Sequence, residues 1–141
     1  MSTGFNISEL RFLVVDDLPN ICTLFSSILH DFGWKNVSVS TSGEKALALL
    51  KEKDFDFVLL DINMEGMDGL DVLDQINSLP ILFPPHVIMV TADASRDSLN
   101  KAFQKGAADF IVKPFQPAVL QTKIKKIFAE SKTRQTHRLM R

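Results

Sequence analysis

The chain has 141 residues, 45% of them apolar, and a formal net charge of −1. That length suits one domain with a core of its own, and a near-neutral chain has no global field to draw it to nucleic acid or an anionic membrane. Its single cysteine, Cys22, excludes an internal disulfide or a cysteine-rich metal site and points to a small buried hydrophobe in a reducing, cytoplasmic setting. No apolar run reaches membrane-spanning length, so no membrane insertion is expected, and the opening MSTGFNISEL lacks the apolar core of a signal peptide.

In chain order, short β-rich runs alternate with helix-patterned segments. RFLVV (11–15) is the first predicted strand. After Pro19, which suits a first helical turn, Ile21, Leu24, Phe25, Ile28, Leu29 and Phe32 form a helical stripe that stops at Gly33. Trp34 follows, predicted to pack at the end of the sheet away from the strands' carboxyl ends, and so to be a poor fluorescence reporter of metal binding. NVSVS (36–40) alternates Val37 and Val39 with polar residues, as an edge strand does. Thr41 and Glu44 have capping-box spacing ahead of a helix carrying Ala46, Leu47 and Leu50. DFVLL (56–60) is a third strand; Asp68 caps a helix with Leu70, Leu73 and Ile76 inward. SLPILFPP (78–85) is apolar for a loop, and Ile81, Leu82 or Phe83 is expected to pack locally. HVIMV (86–90) is followed by a helix over about Ser95–Lys105, with Leu99, Ala102 and Phe103 on one stripe and Gly106 as its stop. DFIV (109–112) precedes a last helix from Pro117 that buries Leu120, Ile124, Ile127 and Phe128. The basic segment 131–141, with Lys132, Arg134, Arg138 and Arg141 and no acid, reads as a solvated tail or the start of a linker after a domain over 1–130.

Runs that are apolar nearly throughout suit strands covered on both faces, as in a parallel sheet. Five strand–helix units in succession therefore predict an α/β fold: a doubly wound five-stranded parallel sheet flanked by five helices. In such sheets, sites form beyond the carboxyl ends of the strands. The residues there are Asp16 and Asp17 after the first run, Asp61 after the third, Thr91 after the fourth and Lys113 after the fifth.

Any one of these has an ordinary role: an Asp after a strand caps a helix or forms a turn, a Thr packs, a Lys is solvated. Together they make a rim of three carboxylates, a hydroxyl and an ammonium. Carboxylates that repel one another bind a cation or a proton. An oxygen-only donor set favours a hard cation, Mg²⁺ first. A carboxylate beside it can attack a phosphoryl group, whose oxygens the Lys113 ammonium and the Thr91 hydroxyl could then stabilise. The three histidines, His30, His86 and His137, have no ligand spacing, and no GxxxxGK[ST] phosphate loop exists.

VVDD (14–17), LLDINM (59–64), MVTA (89–92) and GAADFIVKPF (106–115) resemble, in this order, the receiver (phosphoacceptor) domain of two-component response regulators, in its CheY-like form. The resemblance covers about residues 9–130. It implies a flavodoxin/CheY-like sheet of strand order 2-1-3-4-5, an order that the spacing alone does not provide. It implies Asp61 as the phosphorylated aspartate, Asp16 and Asp17 as the acidic pair for Mg²⁺, and Asn63 as the donor of a backbone carbonyl to the same ion. Thr91 and Lys113 would contact the phosphoryl group, Phe110 would be the aromatic switch beside Thr91, and Asn63 and Asp93 would tune the phosphorylated lifetime. The Lys113–Pro114 bond would be cis. The implied partners are a sensor histidine kinase or phosphotransfer protein and a downstream target bound through the face of the fourth helix, fifth strand and fifth helix, with no direct nucleic-acid contact. The only enzymatic activity implied is self-catalysed phosphorylation and dephosphorylation. The alternative is an aspartate-nucleophile phosphatase of haloacid dehalogenase type. There, however, the nucleophile lies in a DxD on the first strand and the acidic pair comes last, whereas VVDDLPN puts the pair first. Two departures from the receiver pattern stand out. Glu65 occupies a position that is usually Pro, and Phe110 lacks the hydroxyl of the commoner Tyr.

Overall fold

The computed structural model describes residues 6–139, with side chains described through Ser131. Five strands pair in parallel: β1 (Arg11–Val15), β2 (Asn36–Ser40), β3 (Phe57–Asp61), β4 (His86–Thr91) and β5 (Asp109–Val112), in the order β2-β1-β3-β4-β5. The helices between and after them are α1 (Pro19–Asp31), α2 (Gly43–Glu52), α3 (Gly69–Ser78), α4 (Arg96–Gln104) and α5 (Pro117–Leu139). The doubly wound sheet and the 2-1-3-4-5 order are both as expected. Helix α5 continues the chain as far as Leu139; the basic side chains from Lys132 on lie outside the described residues.

Strand alternation explains why the inner runs are apolar throughout. Leu13, Val15, Val58, Leu60, Val87 and Met89 face one layer, with Ala46, Leu50, Val72, Leu73, Ile76 and Ala102 from α2, α3 and α4. Phe12, Val14, Phe57, Leu59, Ile88, Val90 and Ile111 face the other, with Cys22, Phe25 and Leu29 of α1 and Leu120, Ile124 and Ile127 of α5. Burial of each such aliphatic or aromatic side chain contributes about 1.5–3 kcal/mol. At the amino end of the strands, Phe12 stacks on Phe57 and tilts against Trp34, whose Nε1–H donates to the Ile7 carbonyl at 2.9 Å.

Several local expectations need correction. The cap of α2 is Ser42, whose hydroxyl accepts from Lys45 N–H, and not Thr41. Val39 is about half exposed on the edge strand β2. Leu24 and Phe103 are about half exposed although they fit their helical stripes; Phe103 keeps a ring contact with Phe110 of β5. Of the three apolar residues expected to pack in the α3–β4 loop, Ile81 is half-buried as expected, whereas Leu82 and Phe83 are 84% and 66% exposed. Asp68 caps α3 as predicted, accepting from Asp71 N–H at 2.9 Å. The chain leaves α1 through Gly33 at φ +93° and α4 through Gly106 at φ +94°, a left-handed turn that suits glycine.

Candidate functional site

The rim forms because four strands end at one level. Asp61 and Thr91 are the last residues of β3 and β4, and Asp16 and Lys113 directly follow β1 and β5. Asp61 and Thr91 thus belong to the sheet itself, paired with Val90 and Val112, and Lys113 N–H donates to the Thr91 carbonyl at 2.7 Å. One oxygen from each of Asp16, Asp17 and Asp61 lies within 4.8 Å of the others. Asp16 and Asp61 are buried, and Thr91 is fully so.

Each carboxylate is aimed by a backbone donor. Leu18 N–H donates to Asp16 Oδ1 at 3.0 Å, Asn63 N–H to Asp61 Oδ1 at 3.2 Å and Glu65 N–H to Asp17 Oδ2 at 3.2 Å. Opposite them the Lys113 ammonium sits 3.3 Å from Asp16 Oδ2 and 3.7 Å from Asp61 Oδ2. One ammonium for three carboxylates leaves the rim short of positive charge. Burial pushes the Asp61 carboxyl above the ordinary carboxylate range, Lys113 pulls it back, and Asp16 pushes it up again. The surplus of negative charge and the all-oxygen donor set fit a hard divalent cation held by Asp16, Asp17 and Asp61.

The remaining predicted residues surround this core differently. The Thr91 hydroxyl donates to the Asp93 carbonyl at 3.2 Å and accepts from Asp93 N–H at 2.9 Å. The Asp93 carboxylate is turned to the start of α4, where it accepts from Ser95 N–H at 2.8 Å and the Ser98 hydroxyl at 2.8 Å. Those hydrogen bonds, Ser95 N–H first, hold its carboxyl below the ordinary range. The Asn63 side chain is exposed beside the loop. Phe110 stands half-buried on the α4 side of the sheet, two residues back from Val112, the strand partner of Thr91. The Lys113–Pro114 bond is cis.

Sequence reasoning missed three contributors. Gly69 lies so close to the end of β3 that a Cβ there would overlap the Asp61 carbonyl and Ile62 Cα, while its N–H donates to the Ile62 carbonyl at 2.8 Å. DG is legible as a helix start, but not as a close approach. Cys22 Sγ–H donates to the Asp16 carbonyl at 3.3 Å, which ties α1 to the acidic turn. Glu65 has a consequence beyond its charge: its N–H is the donor to Asp17, and a proline at that position has none. A groove of about 500 Å³ lined by Leu50, Lys51, Leu79, Ile81 and Leu82 contains none of the rim residues.

Residues 12–125 match the response regulator receiver domain, and the chain belongs to that family of two-component signalling proteins. Chemotaxis protein CheY-3 of Vibrio cholerae serotype O1 is 40% identical over 120 residues, 85% of this chain and 92% of that protein. Chemotaxis protein CheY of Pseudomonas aeruginosa is 39% identical over 119 residues, 84% of this chain and 96% of that one. Among solved structures, the CheY-like receiver domain protein of Methanospirillum hungatei JF-1 superposes with a TM-score of 0.81 at 29% identity, covering 89% of this chain and 98% of its own. These likenesses support a receiver, a signalling module, over the phosphatase alternative. No helix among the described residues is long and apolar enough to cross a membrane.

Proposed function

We propose that Asp61 accepts a phosphoryl group from a sensor histidine kinase or phosphotransfer protein and that the modified chain changes its affinity for a target through α4, β5 and α5. The observation that carries this reading is the placement of the buried Asp61 carboxylate within reach of Asp16, Asp17 and Lys113. Asp16, Asp17, Asp61 and the Asn63 backbone carbonyl would hold Mg²⁺, which supplies positive charge to the oxygens of the transferring group.

The chain's own part is orientation and charge. Asn63 N–H fixes the Asp61 carboxylate, and one of its oxygens attacks the donor phosphorus. The P–N bond breaks and its electron pair leaves with the imidazole nitrogen. The Lys113 ammonium then turns from the Asp16 and Asp61 carboxylates to a phosphoryl oxygen. The Thr91 hydroxyl, drawn to another, gives up both bonds to Asp93. That shift opens space beside Phe110, and α4 is the helix placed to respond, since it buries only Ala102 whereas α1 buries Cys22, Phe25 and Leu29. Loss of the signal is hydrolysis: water attacks phosphorus, the bond to Asp61 breaks and inorganic phosphate leaves.

Exposure to acetyl phosphate and Mg²⁺, read by intact mass, tests the assignment. The wild-type chain is expected to gain one phosphoryl group and Asp61→Asn none; a phosphorylated Asp61→Asn chain overturns it. Asn63→Arg and Asp93→Tyr, alone or together, are expected to shield the phosphoryl group from water and lengthen its lifetime. Unchanged decay in all three variants refutes that role for Asn63 and Asp93.

A further inference from the structure

Phe110 has no hydroxyl, so no side-chain hydrogen bond can hold it at either end of a rotation. What holds it is visible on its two flanks. The Phe103 ring of α4 meets it edge-on, with centroids 5.7 Å apart and planes at 77°. From α5, the Lys123 ammonium lies 5.5 Å from the Phe110 ring centroid. Lys123 is itself anchored: Asp109 Oδ1 accepts from its Nζ at 3.0 Å and from the Phe110 N–H at 2.8 Å. One carboxylate therefore ties the backbone of Phe110 to the cation over its ring.

We infer that Phe103 and Lys123 form a clamp that holds Phe110 in its half-buried position and opposes its further inward rotation, so that they set how readily the rim is occupied. The inference rests on the receiver reading above. An edge-on aromatic pair and a cation over a ring face both depend on where the ring stands, and both are lost if it turns under the sheet edge. Occupation of the rim that draws Thr91 away is coupled to the inward ring, so each clamp contact weakens that occupation in proportion to its own strength. The effect has a counterintuitive sign: removing a contact should tighten binding at a site on another part of the molecule. Phe103 and Lys123 are positioning residues here, since neither touches the rim.

The test is the affinity of the full chain for beryllofluoride in Mg²⁺, a mimic of the phosphoryl group, titrated by ¹⁹F NMR of the bound fluorides. Phe103→Ala and Lys123→Met are each expected to bind it about two- to fivefold more tightly than the wild-type chain. Lys123→Arg, which keeps a cation over the ring, should bind like wild type. In a Phe110→Ala background both gains should vanish, which a general loosening of the fold would not produce. Circular dichroism confirms that each variant is folded, and Lys123→Met, at a half-buried surface position, carries the test alone if Phe103→Ala is not. Equal affinities in wild type and the single variants, or gains that persist without Phe110, overturn the clamp while leaving the receiver reading standing. A wild-type chain that binds no beryllofluoride overturns both.

Discussion

The two ends of the sheet are built on opposite principles. At the amino end, Phe12, Phe57, Trp34 and the His86 ring pack against one another, with centroids 5.1 to 5.5 Å apart between neighbours, and the Trp34 indole N–H finds a carbonyl. Apolar area leaves water there and the polar atom that accompanies it is satisfied. At the carboxyl end, three carboxylates converge within 4.8 Å around a single ammonium. Their repulsion and burial oppose folding; Lys113 and three backbone donors offset part of that cost, and apolar packing elsewhere offsets the rest. One sheet thus separates its apolar packing from its acidic rim, so changes at one end should leave the other's property intact.

Trp34→Ala tests this with the largest expected effect. It should cost about 3 kcal/mol of unfolding free energy, typical of truncating a buried aromatic, measured by urea denaturation. Under conditions where the variant is folded, phosphorylation of Asp61 by acetyl phosphate should proceed at the wild-type rate; a matched loss of phosphorylation would break the separation. Asp61→Asn is the converse, ending phosphorylation while raising stability by about 1 kcal/mol in chelator, because one of three mutually repelling carboxylates is gone. A destabilised Asp61→Asn chain would mean that the carboxylate holds the rim together.

The smallest effect concerns Asp93, between the rim and α4. Its carboxyl is held below the ordinary range by Ser95 N–H first, then by the Ser98 and Ser95 hydroxyls. A depressed folded-state value means that the folded chain binds fewer protons than the unfolded one as pH falls through the ordinary range. The stability it contributes is therefore present above that range and is lost in acid. The melting-temperature advantage of wild type over Asp93→Asn should be slight at neutral pH and shrink steadily as the pH drops below the ordinary carboxylate range. An advantage that does not change with pH would mean that the α4 cap does not depend on the charge.

Much was legible in the chain because its signals are local. The strand-patterned runs RFLVV, NVSVS and DFIV coincide with β1, β2 and β5, Asp68 caps α3, and the turn at Gly106 ends α4. The rim followed because parallel strands bring their last residues to one level, so Asp16, Asp17, Asp61, Thr91 and Lys113 meet whatever packs beneath them. Family resemblance added the strand order, which crossover connections of similar length leave open.

The tertiary structure alone decided what depends on contact between segments far apart in sequence. Phe103 and Leu24 satisfy a helical stripe yet stay about half exposed, since periodicity marks a face but not how wide a sheet lies beneath it. Gly69 reads as an ordinary first helical residue until the end of β3 is found where its side chain would be. Glu65 reads as an added charge until its N–H is found on Asp17, 48 residues away. Residue type and spacing determine which groups the rim contains; distances across the sheet determine which backbone donor aims each carboxylate, and what leans on Phe110.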